Sequence, residues 1–273
     1  RPDSVGDPST KERHMATYSE GYEYHIHLSK GDIGRYVFLP GDPGRCEVIA
    51  QHFDNPRFVA SNREHTTWVG ELDGEPVAVT STGMGGPSAA IAVEELIHVG
   101  ADTFMRVGTA GAMQPETQPG DAAIINAAIR DEGTGLHYLP VEFPAVAHQD
   151  LINALVAASE KLGRPHHVGV SQSKDSFYGQ HDPDSMPVGP HLRDRWDAWV
   201  KGGCLVSEME CATLFLVAST RRVRAGGVMM VMGHHDFAPM TDQEKEASQV
   251  ANLIPVAIEG MRQVIAADRA RTA

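Results

Sequence analysis

The chain has 273 residues, 41% of them hydrophobic, and a formal net charge of -13 from 36 acidic and 23 basic side chains. That is enough for one large α/β domain or two small ones, with ample apolar material for a core. No block of lysines or arginines marks a nucleic-acid face, because Arg221-Arg222-Val223-Arg224 is too short for one, and no apolar run reaches the ~18–20 residues of a membrane span.

Residues 1–21 read as a flexible tail, polar and acidic and unlike a signal peptide. Two readings of its start stand side by side. It is native throughout, or it is partly vector-derived ahead of a native Met15, since His14-Met15 resembles a cloning junction. The three cysteines, Cys46, Cys204 and Cys211, have no Cys-x-x-Cys spacing. They argue for a reducing compartment, the cytoplasm, and against structural zinc.

From residue 22 to residue 273 the chain reads as one unit, without repeats or a linker. Residues 22–28 alternate weakly, as an edge strand or extended arm would. Residues 35–39 predict a strand, which ends in Pro40-Gly41-Asp42-Pro43-Gly44-Arg45 before a helix over 46–50. Such a turn leaves amides facing an anion, and Arg45 has the sign a helix start would not choose for structural reasons. Strands follow at 58–60, 66–72 and 76–81, the last two joined by the hairpin signal Asp73-Gly74. The turn Gly83-Met84-Gly85-Gly86-Pro87-Ser88 lacks the dinucleotide-binding pattern and leads into a helix over 89–98, ended by Gly100.

A buried strand through Thr103-Phe104-Met105 comes next, then a strand near 121–127 and a loop-rich stretch to about 147. The pattern then predicts a helix over 150–162, a strand over 167–171, a long loop over 178–192 and a helix over 192–200. It closes with an apolar helix over 207–220, a buried strand over 227–232 and a long helix over 241–267. Strands alternating with helices and short hairpins predict a single α/β domain with a mixed sheet.

Three stretches carry chemistry, each with a plain structural alternative. Arg106-Val107-Gly108-Thr109-Ala110-Gly111 is an anion cradle of amides, a hydroxyl and a guanidinium, or a turn beside a surface ion-pair partner. Ser207-Glu208-Met209-Glu210 is a helix capping box over Ser207 and Glu210, or a carboxylate that holds a polyol such as ribose. His234-His235-Asp236 follows the last strand, but no further acid or histidine has helix-type ligand spacing to it, which argues against a catalytic metal.

Taken together, five motifs resemble the uridine phosphorylases of the nucleoside phosphorylase family. They are Gly41-Asp42-Pro43-Gly44-Arg45, Glu64-x-Thr66-Thr67-Trp68, Ser81-Thr82-Gly83-Met84-Gly85-Gly86-Pro87-Ser88, Arg106-Val107-Gly108-Thr109-Ala110-Gly111 and Glu208-Met209-Glu210, in that order. The resemblance runs from about His25 to the C-terminal helix. It implies one α/β domain whose twisted mixed sheet is partly barrel-like and flanked by helices. It also implies a homo-oligomer, a dimer or a hexamer built as a trimer of dimers, with active sites shared between subunits. The implied reaction is phosphorolysis of a nucleoside to free base and pentose 1-phosphate. Phosphate is the co-substrate, and no other cofactor enters the reaction.

The roles the resemblance implies are these. Gly41, Arg45, Arg106 and Thr109 bind phosphate, with Arg63 reaching in from a neighbouring subunit. His25, also from the neighbour, contacts the ribose, as do Met209, Glu210 and Thr109. Arg45, Arg106 and Glu210 carry the catalysis. Phe177 and Gln180 face the base, and a monovalent cation, K+ or Na+, sits at Glu64, Met84 and Ser88. Two departures bear on the base. Gln180-His181-Asp182 lacks an arginine that usually stands two residues after the glutamine, and a second arginine is replaced by the Gly233-His234-His235-Asp236 run. His181, His234 and His235, beside Met232, are the expected substitutes, and a purine or other modified nucleoside stays open as substrate. Asp236, near where purine-specific relatives have an aspartate, is displaced in sequence. A hydrolase of the same fold and a nucleoside-binding protein without turnover are the rivals.

Overall fold

The computed structural model describes residues 21–272, so the tail expected over residues 1–21 lies, Gly21 aside, outside the described residues. The first strand, β1 (Tyr36–Leu39), is four apolar residues buried on both faces. A strand with no polar side has to lie inside a sheet covered by helices on both sides. It is followed by α1 (Gly44–Ala50), β2 (Asp54–Asn62), β3 (His65–Leu72), β4 (Glu75–Thr80), α2 (Gly86–His98), β5 (Thr103–Ala112) and β6 (Ala122–Asp131). Then come β7 (Ala145–Val146), α3 (Gln149–Lys161), β8 (His166–Lys174), α4 (Phe177–His181), α5 (Gly189–Lys201) and β9 (Val206–Glu208). The chain closes with α6 (Cys211–Arg221), β10 (Arg224–Val231), α7 (Asp242–Ala247) and α8 (Ile254–Thr272).

All ten strands belong to one mixed sheet. Because β10 pairs with β5 as well as with β6, the strands β10, β6, β8, β9 and β5 close into a ring. From β5 the sheet continues outward through β1, β4, β3 and β2. β5 is long enough to serve both parts: its first half pairs with β1 and its last residues with β9. The parallel pairings of β1 with β4 and β5, and of β5 with β10, turn their carboxyl ends the same way. In sheets of this kind the crevice beyond those ends is where ligands bind.

Alternation along the strands builds a core on each face. Tyr36 and Phe38 pack with Ile49 of α1, Leu155 of α3 and Met261 of α8. Val37 and Leu39 face the other way, toward Val93 and Leu96 of α2 and Phe215 of α6. Each large apolar side chain buried this fully contributes roughly 1.5–3 kcal/mol. The Asp73-Gly74 hairpin forms as expected: both residues have positive φ, 54° and 74°, the geometry of a two-residue turn that matches strand twist.

Four expectations give way. Residues 22–28 form no strand; the His25 and Ile26 amides donate to the Glu95 carboxylate at 2.9 and 3.0 Å, and Ile26 and Leu28 are buried. The loop expected over 178–192 is mostly helical. Two of its three prolines, Pro183 and Pro190, stand in the first turns of a 3-10 turn (Pro183–Ser185) and of α5, where a missing N–H costs nothing. Residues 206–208 are strand β9, so the apolar helix begins only at Cys211. The C-terminal helix is two: Thr241 and Glu244 form a capping box that starts α7, and Pro255 stands in the first turn of α8, where it cannot continue a helix from upstream. The stretch Val250–Thr272 has the length and apolar content of a membrane span, yet half of its apolar window is buried within the fold.

Candidate active site

A cavity of 880 Å3 opens at the carboxyl ends of the parallel strands. Arg106 stands in its wall on β5, in register between Leu39 of β1 and Gly227 of β10. The side chain is 5% exposed. Nη2 pairs with the Glu210 carboxylate, Nη1 donates to the Thr82 hydroxyl at 3.4 Å, and Nε has no hydrogen-bond partner among the described residues. A buried guanidinium N–H is thus left with donor capacity to spare beside the cavity. Gly41 and Gly108 keep room around it: a Cβ on Gly41 would lie 3.7 Å from Nη2, and one on Gly108 3.3 Å from Nε and 2.6 Å from the Met229 sulfur.

Arg45 enters the same cavity from α1, with Nε 4.0 Å from the Asp42 carboxylate. Burial pulls its pKa below the ordinary guanidinium value; Asp42 offsets part of this and the nearby charge of Arg106 adds to it. Burial leaves the Arg45 guanidinium only partly compensated, a state that an anion in the cavity would relieve. Thr109 lines the cavity three residues beyond Arg106 on β5. The stretch 106–111 is therefore part of strand β5 and not a turn, and Arg106 is buried rather than a surface ion-pair partner.

Glu210 sits between β9 and α6, buried, and accepts a hydrogen bond from the Gly85 amide at 2.7 Å. Burial pushes its pKa up, against the pull of Arg106 and the Gly85 amide. For Arg106 burial acts downward, and Glu210 together with Cys211 and Glu208 more than restores it, so the guanidinium stays charged. The capping box expected over Ser207 and Glu210 does not form. Glu208 caps the helix instead: its Oε2 accepts from the Glu210 and Cys211 amides at 2.7 and 2.8 Å, while Oε1 accepts from the hydroxyls of Ser171, at 3.1 Å, and Ser173. The reason is the sheet. Pairing of Ser207 with Gly111 and of Glu208 with Ser173 draws this segment into the ring and turns the Ser207 hydroxyl away from α6. Met209 lines the cavity next to Glu210.

The far end of the cavity is built at the carboxyl end of β8 and by α4. Phe177, half-exposed, Gln180 and His181 line it, with Met232, His234, Trp196 and Phe237. The His181 ring lies 4.2 Å from that of Phe177 at a 34° tilt, and burial followed by the charge of Lys174 lowers its pKa. His234 is tied to Glu244 at 3.2 Å. His235 and Asp236 are exposed and do not line the cavity. Lys174, Trp196 and Phe237 escaped the sequence reading. Extending the β8 strand by three residues would have placed Lys174 at its end.

A polar relay backs this wall. Gln172 donates to Asp131 at 2.7 Å, and Asp131 is itself paired with Arg195 at 2.5 Å. The Gln172 oxygen is thereby left facing the Ser207 hydroxyl, 2.7 Å away. Gln180 meets the same hydroxyl at 2.8 Å and Lys174 donates to it at 2.7 Å. A hydroxyl has one proton to give. The side-chain oxygens of Gln172 and Gln180 share that proton as acceptors. A second cavity of 510 Å3 opens on the other side, sharing Lys174, Gln180, His181, Trp196 and Phe237 with the first.

His25 and Arg63 do not line the cavity. They share a corner of the surface, where the His25 ring holds Glu95 at 2.5 Å, Asn62 donates to the His25 carbonyl at 2.9 Å, and the Arg63 guanidinium lies 5.5 Å over the Tyr24 ring. Of the expected cation group, Ser88 donates to Glu64 at 2.7 Å and holds its carboxyl below the ordinary range, whereas Met84 is 84% exposed. The three thiols are free and buried.

The fold and this cavity define a phosphorylase-type α/β protein, and the comparisons give the family. Residues 35–267 match the family model of the phosphorylase superfamily, and the chain belongs to that superfamily. It is 50% identical over 254 residues to a uridine phosphorylase of Treponema pallidum, covering 93% of this chain and 98% of the relative. It is 40% identical over 247 residues to the uridine phosphorylase of Escherichia coli, covering 89% and 98%. A guanosine phosphorylase of Halorubrum lacusprofundi is 40% identical over 210 residues, covering 77% and 83%.

Proposed function

We propose that the protein is a pentosyltransferase that phosphorolyses uridine or a uridine-like nucleoside to the free base and (deoxy)ribose 1-phosphate. The observation that carries this reading is the Arg106–Glu210 pair, a cation for the nucleophile against a carboxylate for the sugar, buried in one cavity wall. Gly41, Arg45, Arg106 and Thr109 hold phosphate. Met209 and Glu210 hold the ribose hydroxyls. Phe177, Gln180, His181, Met232 and His234 surround the base. His25 and Arg63 complete the ribose and phosphate sites of a neighbouring subunit in a homo-oligomer, dimeric or hexameric, and Glu64 and Ser88 hold a K+ or Na+ ion near that junction. Phosphate is the co-substrate, and the three buried thiols suit a reducing cytoplasm.

Phosphate held by the arginines lies in line with the anomeric carbon, which is a proximity effect. As the C1′–N bond breaks, its electron pair leaves with the base and the sugar becomes cation-like. Phosphate and Glu210 stabilise that charge electrostatically. A phosphate oxygen then bonds C1′. The proton that hydrogenphosphate loses on becoming a monoester is the one the base gains, so the reaction balances without another reactant.

Release of base from uridine should require inorganic phosphate and yield pentose 1-phosphate in equal amount. Full turnover in phosphate-free buffer would establish a hydrolase, and tight nucleoside binding with no release of base would establish a binding protein. A second substrate reading, guanosine, is favoured by the Halorubrum relative; uridine, guanosine, inosine and 5′-modified nucleosides assayed side by side separate the two.

A further inference from the structure

Glu95 lies on the buried face of α2, beside Ala92, Val93 and Leu96, and is 8% exposed. A carboxylate in such a place is costly unless donors meet it. Three do, and all come from two residues of the segment 22–28. Oε2 accepts from the His25 and Ile26 amides at 2.9 and 3.0 Å, and Oε1 meets His25 Nδ1 at 2.5 Å. Ile26 and Leu28 anchor the same segment in the core, and the Glu23 amide donates to the Leu28 carbonyl at 2.8 Å. Oε2 and these anchors already pin the backbone, so the contact of Oε1 with the ring is left to do something else. An ionised carboxylate only accepts, so a neutral imidazole beside it keeps its proton on Nδ1 and a lone pair on Nε2. Nε2 makes no hydrogen bond among the described residues. Asn62, one residue before Arg63, donates to the His25 carbonyl at 2.9 Å, and the Tyr24 ring lies 4.7 Å from the His25 ring.

We infer that Glu95 is a positioning residue for the sugar end of the substrate: it fixes the place and the tautomer of His25, so that Nε2 accepts a hydrogen bond from the 5′-hydroxyl of a nucleoside bound by a neighbouring subunit. This rests on the proposed phosphorolysis and on the proposed reach of His25 into that neighbour. Glu95 touches no substrate and acts only through the ring. Its two oxygens divide the task. Oε2 sets where the backbone of residue 25 stands, and Oε1 sets which ring nitrogen carries the proton. The site so built selects a hydrogen-bond donor at the 5′ position, a hydroxyl or an ammonium, over a group that has none.

The test is selectivity at the 5′ position. Wild type, Glu95→Gln, His25→Ala and the double variant are assayed for phosphorolysis of uridine, 5′-deoxyuridine and 5′-amino-5′-deoxyuridine, whose amino group near neutral pH is an ammonium, a donor only. The wild type should prefer uridine and the amino nucleoside to the 5′-deoxy one by ~10–10²-fold in kcat/KM, the size of one hydrogen bond at a built site. His25→Ala should remove that preference. Glu95→Gln keeps an oxygen for the two backbone amides, and so the segment, but turns an amino group toward Nδ1. The ring proton then moves to Nε2, and the variant should lose ~10-fold on the amino nucleoside relative to uridine, whose hydroxyl turns to accept instead. In the His25→Ala background Glu95→Gln should change no ratio between nucleosides, which separates an effect through the ring from the charge of Glu95 acting at a distance. Equal losses on all three nucleosides in Glu95→Gln, or a wild type that does not distinguish uridine from 5′-deoxyuridine, overturns the inference and leaves Glu95 a structural anchor. Nitrogen NMR of the histidine rings in the wild type, assigned by difference from His25→Ala, decides even where Glu95→Gln does not fold: a neutral His25 protonated on Nδ1 is expected, and one protonated on Nε2 overturns the inference. A wild type without phosphate-dependent turnover on any of the three instead sinks the phosphorolysis of uridine itself.

Discussion

Arg106 and Glu210 are each almost wholly buried and meet in a charged hydrogen bond. A pair of this kind gains little net stability, because desolvation offsets the Coulomb attraction, but breaking it from one side strands a buried charge at about 3–5 kcal/mol. Glu210→Ala therefore does two things at once. It should lower kcat/KM on the best nucleoside by ~10²–10³-fold, through loss of the group facing the sugar cation. It should also lower the melting temperature in phosphate-free buffer, and added phosphate should recover more of that loss than it adds to the wild type, because the anion replaces the missing carboxylate at Arg106. Melts with and without phosphate read this out; an unchanged phosphate increment would mean that phosphate does not meet Arg106. Neither the pairing nor the orphaned Arg106 Nε is a property of the residues taken singly. The arginine and the glutamate lie 104 positions apart, and the sheet brings them together.

At the scale of elements, the segment around Ser207 shows how local rules are overruled. Ser207-x-x-Glu210 satisfies the capping-box pattern, yet pairing with β5 and β8 takes residues 206–208 into the ring. The cap is then supplied by Glu208, one residue on from the serine. Glu208→Ala should destabilise the protein by about 1–2 kcal/mol for the cap alone, roughly 2–4 °C in melting temperature per kcal/mol at this size. Ser207→Ala leaves the cap untouched and acts instead through the contacts with Gln172, Gln180 and Lys174, so an unchanged melting temperature in Glu208→Ala is the result that would contradict the assignment. Much of the element pattern was legible: β1, β3, β4, β10 and the Asp73-Gly74 hairpin follow directly from apolar runs and turn chemistry. The stretch 178–192 was not, because its glycines and prolines mark helix starts as readily as loops. That misreading hid the wall formed by α4 and α5, and with it Trp196. The short reading of β8 hid Lys174.

At the scale of the molecule, one polar knot ties the C-terminal helix to the sheet. Asp268 of α8 accepts from the Tyr36 hydroxyl of β1 at 2.8 Å and from Arg224 of β10 at 2.9 Å. The hydrogen bond from Arg224 is the main cause that holds the Asp268 carboxyl below its ordinary range, and the same contact with Asp268, after burial, pushes Tyr36 up to about 12. A carboxylate with a depressed folded value gives stability that is fully present above its unfolded value, ~3.9, and is lost as pH falls through the folded value. Asp268→Asn should therefore melt lower than wild type near neutral pH, with the gap closing on acidification below about pH 4. Melts across that range check it; a constant gap would show that the knot acts through shape rather than charge.

The sequence by itself determined the single α/β domain, the mixed sheet and the five motifs that place the chain beside the nucleoside phosphorylases. Those are carried by apolar periodicity and by glycines and arginines fixed within short stretches. Only the tertiary structure decided the closed ring of strands, the identity of the helix cap and the composition of the cavity wall at the end of β8. Each depends on pairing between segments far apart in the chain, such as β5 with β10 and β6 with β8, whose registers no local pattern encodes. His25 and Arg63, which the sequence resemblance paired, stand together within one chain and away from the cavity.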